Sequence, residues 1–349
     1  YGPGSLEPQA VSRLYGKRLQ LSASKIDQYA ACRCAYFLRY GLQLKPQKEA
    51  SFDAPIYGTF VHAILEQTAA QVRQEGGFRV VSEERLLEIA REKVAAYEDE
   101  TLQRMLERSE RLAYLFARNQ QEVLDVVRDL GRELRVSQFE PVGFEIEFSA
   151  LGPLGPITIE GHQMGADLSG FVDRVDLYTK NGVSYLRIVD YKTGKKSFDY
   201  TDLLNGRGLQ MLIYLFALSD NGQSLYGENL QPAGVLYFPA RRPILPATQR
   251  PDPEELERKR QTEQTRQGLL LNDSTVLEAM EQFVTKPVYL PIQLTKDGTI
   301  QGDLADREEL QLLRRHVQRT LEQMADGIAD GAVEPNPIVR GSEDTACAY

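Results

Sequence analysis

The spacing of apolar residues predicts helices in the first part of the chain. Positions near helical spacing predict a helix over residues 21–45, capped by Ser22 or Ser24, and another helix that starts after Pro55. Residues 82–136 are charged, heptad-like and free of proline, which favours two or three long helices. We therefore expect residues 69–137 to form an α-helical insertion rather than a coiled coil.

A period of two residues begins near residue 141 and predicts strands. Residues 141–150 and 156–164 alternate in this way, and residues 168–194 are two strands separated by Asn181-Gly182, a strong hairpin signal. Helix returns at 208–219, a strand at 233–240, and a last helix after Asp306, its expected cap. The polar stretch 243–275 predicts a surface excursion. The order indicates an α/β fold, a mixed central sheet flanked by helices.

Composition narrows the class of protein only slightly. The net charge of -9, from 41 basic and 50 acidic residues, argues weakly against nucleic-acid binding, since a cleft can be basic inside an acidic protein. No apolar run approaches the roughly 18 residues of a membrane span, so we expect no membrane partner. Three cysteines fit a cytoplasmic protein better than a disulfide framework. The chain lacks an initial Met, so we expect a piece of a longer protein.

The hairpin is expected to bring two carboxylates face to face. If its turn has two residues, Lys180 pairs with Val183 and, further along, Asp173 lies opposite Asp190 with Cβ atoms about 5 Å apart. Lys192 shares the face of Asp190 because residues two apart on a strand point the same way. Facing like charges destabilise a sheet unless a cation lies between them. Two edge acids turned into water remain the alternative.

A divalent ion between these acids would support phosphodiester hydrolysis. Mg²⁺ or Mn²⁺ prefers hard oxygen ligands, and the backbone carbonyl of Tyr191 is placed to complete the coordination. Such an ion polarises a phosphate and lowers the pKa of a bound water. Lys192 would orient that water or stabilise the developing negative charge.

The motifs of this region resemble the RecB-type branch of the PD-(D/E)XK nucleases. The stretches "GFVDRVD", "IVDYKTG" and "GLQMLIYL" follow in that family's order. The resemblance implies a restriction-endonuclease-like core and an active site of Asp173, Asp190 and Lys192, with Gln210 and Tyr214 on a helix beside it. Taken singly, a Gln-Tyr pair of this spacing is more often surface or core.

An upstream helix completes the resemblance. The stretch "GTFVHAILEQ" is similar to the family's G-x-x-x-H-x-x-L-E helix, which implies that His62 is a further metal ligand. A structural histidine is the alternative. Glu66, one turn on, would either hydrogen-bond a metal-bound water or cap a local network. We expect Glu145 and Glu147 to be structural.

Charged residues around these motifs have simpler expected roles. Asp176 is expected to pair with Arg174 or Arg187. Phosphate contacts are expected from basic residues that flank the catalytic elements: Lys195, Lys196, Arg207, Arg241 and Arg242.

The cysteines resemble those of a narrower group. Cys32, in "YAACRCAYFLRYGL", stands where the AddB and RexB helicase-nuclease proteins have the first of four iron–sulfur ligands, and Cys347 would open the later cluster. This implies a [4Fe-4S] cluster in the full-length protein. Because the sequence stops at Tyr349, we expect no intact cluster here. Cys34 is expected to be a small core residue, with a stand-in ligand as the other role open to it. Three buried, inert thiols are the alternative to a cluster.

The resemblance covers residues 21–349 and implies one nuclease domain over 1–349. Its expected parts are N-terminal helices (21–68), the helical insertion (69–137), a catalytic core (138–240) and a C-terminal extension (241–349). The implied function is metal-dependent cleavage of single-stranded DNA, with an AddA-type partner subunit, during resection of double-strand breaks. Two alternatives stay open: a silent scaffold that threads DNA and docks the partner, and a standalone CRISPR-associated exonuclease, which the helical insertion and the start of the chain disfavour.

Overall fold

Helices make up most of the regular structure. The computed structural model of this protein describes residues 4–45, 54–102, 110–241, 252–282, 287–340 and 344–345. In chain order the helices are α1 (Pro8–Tyr15), α2 (Ala23–Ala31), α3 (Arg33–Tyr36), α4 (Ala54–Gln74), α5 (Glu83–Tyr97), α6 (Glu110–Val136), α7 (Tyr200–Leu204), α8 (Gln210–Asn221), α9 (Gln223–Tyr226), α10 (Pro253–Gln264), α11 (Ser274–Met280) and α12 (Arg307–Ala329). None of these described helices is long and apolar enough to cross a membrane.

The strands form one large sheet and several short ones. They are β1 (Leu19–Leu21), β2 (Glu140–Phe148), β3 (Ile157–Ile159), β4 (Ala166–Leu168), β5 (Gly170–Lys180), β6 (Val183–Lys192), β7 (Leu230–Pro239), β8 (Gln267–Leu271), β9 (Ile292–Leu294), β10 (Ile300–Gly302), β11 (Leu304–Ala305), β12 (Val339–Arg340) and β13 (Asp344–Thr345). The large sheet has the order β11-β8-β7-β6-β5-β2. Strands β6 and β7 run parallel, whereas β2, β5 and β6 are antiparallel neighbours. The mixed α/β architecture predicted from the sequence is confirmed.

The hairpin β5–β6 has the predicted register. Asn181 and Gly182 have φ of 53° and 76°, as a two-residue turn with both residues left-handed requires. Lys180 pairs with Val183, and the ladder continues to Arg174–Val189. The turn chemistry therefore sets which residues meet at the other end of the hairpin.

Helices cover this sheet at two places. Helix α8 packs on β6 and β7, and α4 packs on β2 and β5. Helices α5 and α6 lie against α4, so that the predicted helical segment is joined to the core through α4. Helix α4 runs without a break through residues 68 and 69, where the sequence analysis divided the chain. A buried stretch of β6, Leu186 to Tyr191, fits a strand with packing on both faces.

Two predictions of secondary structure were wrong. Residues 21–45 are not one helix: Ser22 caps α2 as expected, but Cys32 is extended, with φ -169° and ψ 121°, and a π-helical turn at Phe37–Gly41 follows α3. Residues 243–275 are not only a surface excursion, because they contain α10 and the sheet strand β8. The apolar run of β8 is buried between β7 and β11, a tertiary position that local polarity does not reveal.

The last long helix is as predicted. Asp306 accepts from the backbone N–H of Glu309, and the Glu309 side chain accepts from that of Asp306, which is a complete capping box. The helix packs on α8 and so supports the element that carries Gln210 and Tyr214.

Candidate metal centre and active site

Three carboxylates lie in one row across three strands, at the end of the hairpin remote from its turn. The pairs on either side of the row are Phe144–Arg174 and Ile146–Val172 between β2 and β5, and Arg174–Val189 between β5 and β6. This register places Glu145 opposite Asp173. Asp173 and Asp190 lie one position beyond Arg174–Val189, the last pair of the β5–β6 ladder. The sheet therefore gathers three acids at one edge.

The imidazole of His62 reaches this row from α4. Its Nδ1 lies 3.4 Å from Asp173 Oδ2 and 3.9 Å from Glu145 Oε1, and its Nε2 lies 2.9 Å from the backbone oxygen of Tyr191. One ligand atom from each of His62, Glu145 and Asp173 lies within 4.8 Å of the others. Carboxylate and carbonyl oxygens with one imidazole are a donor set suited to Mg²⁺ or Mn²⁺.

The electrostatics of the row show a shortage of positive charge. Burial raises the pKa of Asp173 and the charge of Asp190 raises it further, to about 7, although the Tyr191 N–H donates to Asp173 Oδ2 at 2.7 Å. Burial lowers the pKa of His62, but its hydrogen bond with Glu145 and the charge of Asp173 outweigh that effect and leave the pKa raised. A divalent cation would supply the missing charge, so the residues fit such an ion.

An open cleft of about 400 Å³ adjoins this cluster. It is lined by Gly58, Thr59, His62, Ala63, Glu66 and Glu145. Burial, and next the charge of Glu145, raise the pKa of Glu66. Glu66 thus faces the same cleft as His62, and its predicted bond to a metal-bound water stays a prediction.

Asp190 and Lys192 form a separate pair beside the cluster. Lys192 Nζ lies 2.5 Å from Asp190 Oδ2, with the geometry of an ion pair rather than of a directed hydrogen bond. Asp190 is 5% exposed and sits next to Tyr237 of β7. Of the four predicted ligands, His62, Asp173 and the Tyr191 carbonyl therefore lie together. The Asp190 carboxylate instead faces Lys192. The role of Asp190 as a ligand stays a prediction.

Tyr214 meets the hairpin at Gly170, the start of β5, and Gln210 lies beside Tyr214. The two side chains are hydrogen-bonded to each other, and burial raises the pKa of Tyr214 to about 12. The Tyr214 ring stacks on Phe148 with centroids 5.4 Å apart. A Cβ on Gly170 would lie 1.8 Å from the Tyr214 hydroxyl oxygen, so only glycine leaves room for it. Tyr214 therefore supports the strand that carries Asp173, and its catalytic role stays a prediction.

Glu145, which the sequence alone predicts to be structural, belongs to this cluster. Its φ is 45°, in the left-handed region that a non-glycine residue enters at a cost of about 1–2 kcal/mol. Backbone strain of this kind concentrates at functional sites. The alternation of β2 predicted the strand, but only its pairing with β5 shows that Glu145 lies opposite Asp173.

A buried ion network lies behind the row of carboxylates. Asp176 accepts from Arg174 at 2.8 Å and from Arg187 at 2.6 Å, as predicted for one or the other. Glu133 of α6 lies 3.6 Å from Arg174 and accepts from Arg266 at 2.7 Å. The network ties α6, β5, β6 and the residue preceding β8 together. It thereby anchors the insertion to the strands that carry Asp173 and Asp190.

The cysteines are only partly within the described residues. Cys32 is buried, Cys34 is half-buried and neither forms a disulfide, whereas Cys347 lies outside the residues that the structure describes. The C-terminal segment returns to Cys32: the Ile338 N–H donates to the Ala31 carbonyl at 3.0 Å, and the Arg33 N–H donates to Asn336 Oδ1 at 2.8 Å.

The expected phosphate contacts fall into two groups. Lys195, Lys196 and Arg241 line one cavity together with Lys192. Arg207 Nη1 instead lies 3.8 Å from an Asp202 carboxylate oxygen. Arg242 lies outside the described residues.

The sequence of this chain matches a known class of protein. A family model of the PD-(D/E)XK nuclease superfamily matches residues 20–349, and the chain belongs to that superfamily. The chain is also similar to proteins named as one subunit of an ATP-dependent helicase/deoxyribonuclease, of the type called AddB. The relative from Thermoanaerobacter sp. is 32% identical over 97% of this chain and 30% of its own length. The one from Moorella thermoacetica is 33% identical over 99% and 30%. The chain spans about a third of these relatives.

Proposed function

We propose that this chain is the metal-dependent nuclease domain of a helicase-nuclease that resects DNA double-strand breaks, and that it hydrolyses phosphodiester bonds of single-stranded DNA. The observation that carries the proposal is the convergence of His62, Glu145, Asp173 and the Tyr191 carbonyl beside the pair Asp190–Lys192. Membership of a nuclease superfamily and the names of the relatives support it.

The side chains have two roles in the proposed hydrolysis: some bind the metal ion, and others stabilise negative charge. His62, Glu145 and Asp173 would hold Mg²⁺ or Mn²⁺, which supplies an acidified water and an electrophile for the phosphate. The Lys192 ammonium, held by Asp190, donates to the attacking oxygen or to phosphate oxygens as negative charge develops there. Tyr214, which is hydrogen-bonded to Gln210, keeps the first part of β5, and hence Asp173, in place.

The proposal extends to partners and compartment. The relatives' name includes a helicase, so we infer that the substrate arrives as a strand already separated, delivered with an AddA-type partner subunit. The cytoplasm is the compartment that this role implies.

An iron–sulfur cluster is part of the proposal for the longer protein. Cys32 is buried beside the returning C-terminal segment. Cys347 follows Ile338 by nine residues, so the chain between them reaches at most roughly 30 Å. We expect a protein extended beyond Tyr349 to bind iron and to lose it on Cys32→Ala, as measured by iron content. Iron retained by that variant would contradict the assignment.

The decisive experiment compares cleavage with binding. End-labelled single-stranded DNA is incubated with the protein and with Asp190→Ala, in Mg²⁺, in Mn²⁺ and in EDTA, and binding is measured in EDTA. We expect metal-dependent cleavage by the protein, and a loss of more than about a hundredfold in the variant with binding retained. Binding without cleavage by the unsubstituted protein would favour the silent scaffold.

A further inference from the structure

A second cavity opens beside Lys192, at the edge of the central sheet. Its volume is about 350 Å³, and its walls include Lys192, Lys195, Lys196, Tyr237, Arg241 and Glu263. Strands β6 and β7 are parallel, so their carboxyl ends, Lys192 and Pro239, lie side by side at this edge. The crevice outside the carboxyl ends of parallel strands is a preferred place for ligands in α/β folds.

The charge of this cavity is opposite to that of the whole chain. The protein carries 41 basic and 50 acidic residues, yet the lining has four cations and a single acid, Glu263. Lys195 lies 3.9 Å from Glu263. Within the described part of the chain, neither Lys196 nor Arg241 takes part in an ion pair. Among the residues that the structure describes, these two cations thus face the cavity without an anionic partner, which favours an anionic ligand.

The cavity adjoins the candidate active site at Lys192. Lys192 belongs to both, because its ammonium pairs with Asp190 while its side chain forms part of the cavity wall. The Ala240 N–H donates to the Lys192 carbonyl at 2.9 Å, which holds Arg241 next to the end of β6. Lys196 Nζ lies 5.8 Å from the centre of the Tyr237 ring, and Tyr237 pairs with Asp190. An anion in the cavity would therefore be a close neighbour of a phosphate at Lys192.

We propose that this cavity is a subsite for the next backbone phosphate of a single DNA strand, held by Lys196 and Arg241, with Glu263 limiting its affinity. The proposal rests on the proposed function, since it assigns the neighbour of the scissile phosphate. The proposal predicts opposite effects on strand binding from two kinds of substitution. Removing a cation weakens binding, and removing Glu263 strengthens it.

The test uses four variants of the whole chain. Lys196→Gln, Arg241→Gln and their combination remove cations from the cavity, and Glu263→Gln removes its acid. Lys180→Gln is the matched control, because it deletes an exposed lysine at the hairpin turn, roughly 30 Å along β6 from Lys192. Binding of a short oligothymidylate is measured in EDTA over a range of salt, and kcat and KM are measured in Mg²⁺ or Mn²⁺.

The expected results follow from phosphate neutralisation. The double variant should bind about tenfold more weakly, with the salt slope reduced by about 1.4, or about 0.7 for each lost contact on a single strand. KM should rise with kcat unchanged, and Glu263→Gln should lower KM. Effects equal to those of Lys180→Gln, or no gain from Glu263→Gln, would overturn the subsite.

Three further outcomes separate this proposal from others. If the unsubstituted protein cleaves but the cavity variants keep its KM, the subsite fails and the proposed function stands. If it does not cleave, yet the variants bind more weakly as expected, the proposed function fails and the cavity stands as a strand-binding site alone. Displacement of the oligonucleotide by inorganic phosphate at equal concentration would assign the cavity to a free anion and overturn the strand subsite.

Discussion

Asp173 should destabilise the metal-free protein, and Asp173→Asn should relieve that cost. The carboxylate is buried beside Asp190, and its pKa is raised from 3.8 to about 7. Each pKa unit corresponds to about 1.4 kcal/mol, so the ionised group costs about 4 kcal/mol in the folded protein above pH 7. An asparagine keeps an acceptor for the Tyr191 N–H, which donates at 2.7 Å, and removes the charge.

The sign of the pH dependence follows from the raised pKa. Between 3.8 and about 7 the folded protein binds a proton at Asp173 that the unfolded chain has released. The contribution of this group to the free energy of unfolding is therefore complete at low pH and is lost as the pH rises through this window. We expect a loss of about 3 kcal/mol from this group between about pH 5 and about pH 8.

Urea denaturation in EDTA at these two pH values measures the effect. Asp173→Asn should raise the free energy of unfolding by about 2–4 kcal/mol at about pH 8 and by less at about pH 5. Mn²⁺ or Mg²⁺ should stabilise the unsubstituted protein and have little effect on the variant. The same variant should lose cleavage activity.

A second aspartate of the same strand provides the control. Asp176 is buried and accepts from both Arg174 and Arg187. Asp176→Asn should lower the free energy of unfolding by about 3–5 kcal/mol, because it leaves two buried guanidinium groups short of a partner. If Asp173→Asn destabilised the metal-free protein as Asp176→Asn does, the electrostatic account of the site would be wrong.

Two other predictions concern backbone positions. Gly170→Ala should destabilise the protein by about 2–4 kcal/mol, because the new Cβ would lie 1.8 Å from the Tyr214 hydroxyl oxygen. Adding Tyr214→Phe to this variant should restore part of the melting temperature. No rescue in the double variant would contradict this contact. Glu145→Gly should raise the stability of the metal-free protein by about 1 kcal/mol, because φ is 45° at this position. The same variant should lose metal-dependent cleavage. Glu145→Ala, which keeps the backbone strain, should lose cleavage without gaining stability.

Features that depend on neighbouring residues in the chain could be predicted from the sequence. The Asn181-Gly182 turn needs two left-handed residues, and from it the hairpin register follows as far as Arg174–Val189. The caps at Ser22 and Asp306 are equally local. These short-range signals were enough to place Asp173 beside Asp190.

Features built from distant segments could not be predicted in the same way. The extended backbone at Cys32 interrupts a helix whose apolar spacing continues through it, and the C-terminal segment bonds to the carbonyl of Ala31 there. Strand β8 lies in a polar region, and its burial depends on β7 and β11. Pairing between strands and packing between helices join residues that the local pattern does not relate.

The sequence by itself determined the hairpin, its two acids with Lys192, and the family motifs. Tertiary structure alone decided that Glu145 joins His62 and Asp173, and that the basic residues after β6 and β7 share one cavity. The physical reason is that turn and cap geometry depends on a few adjacent residues. The charge environment of a site depends instead on which strands pair and which helix covers them.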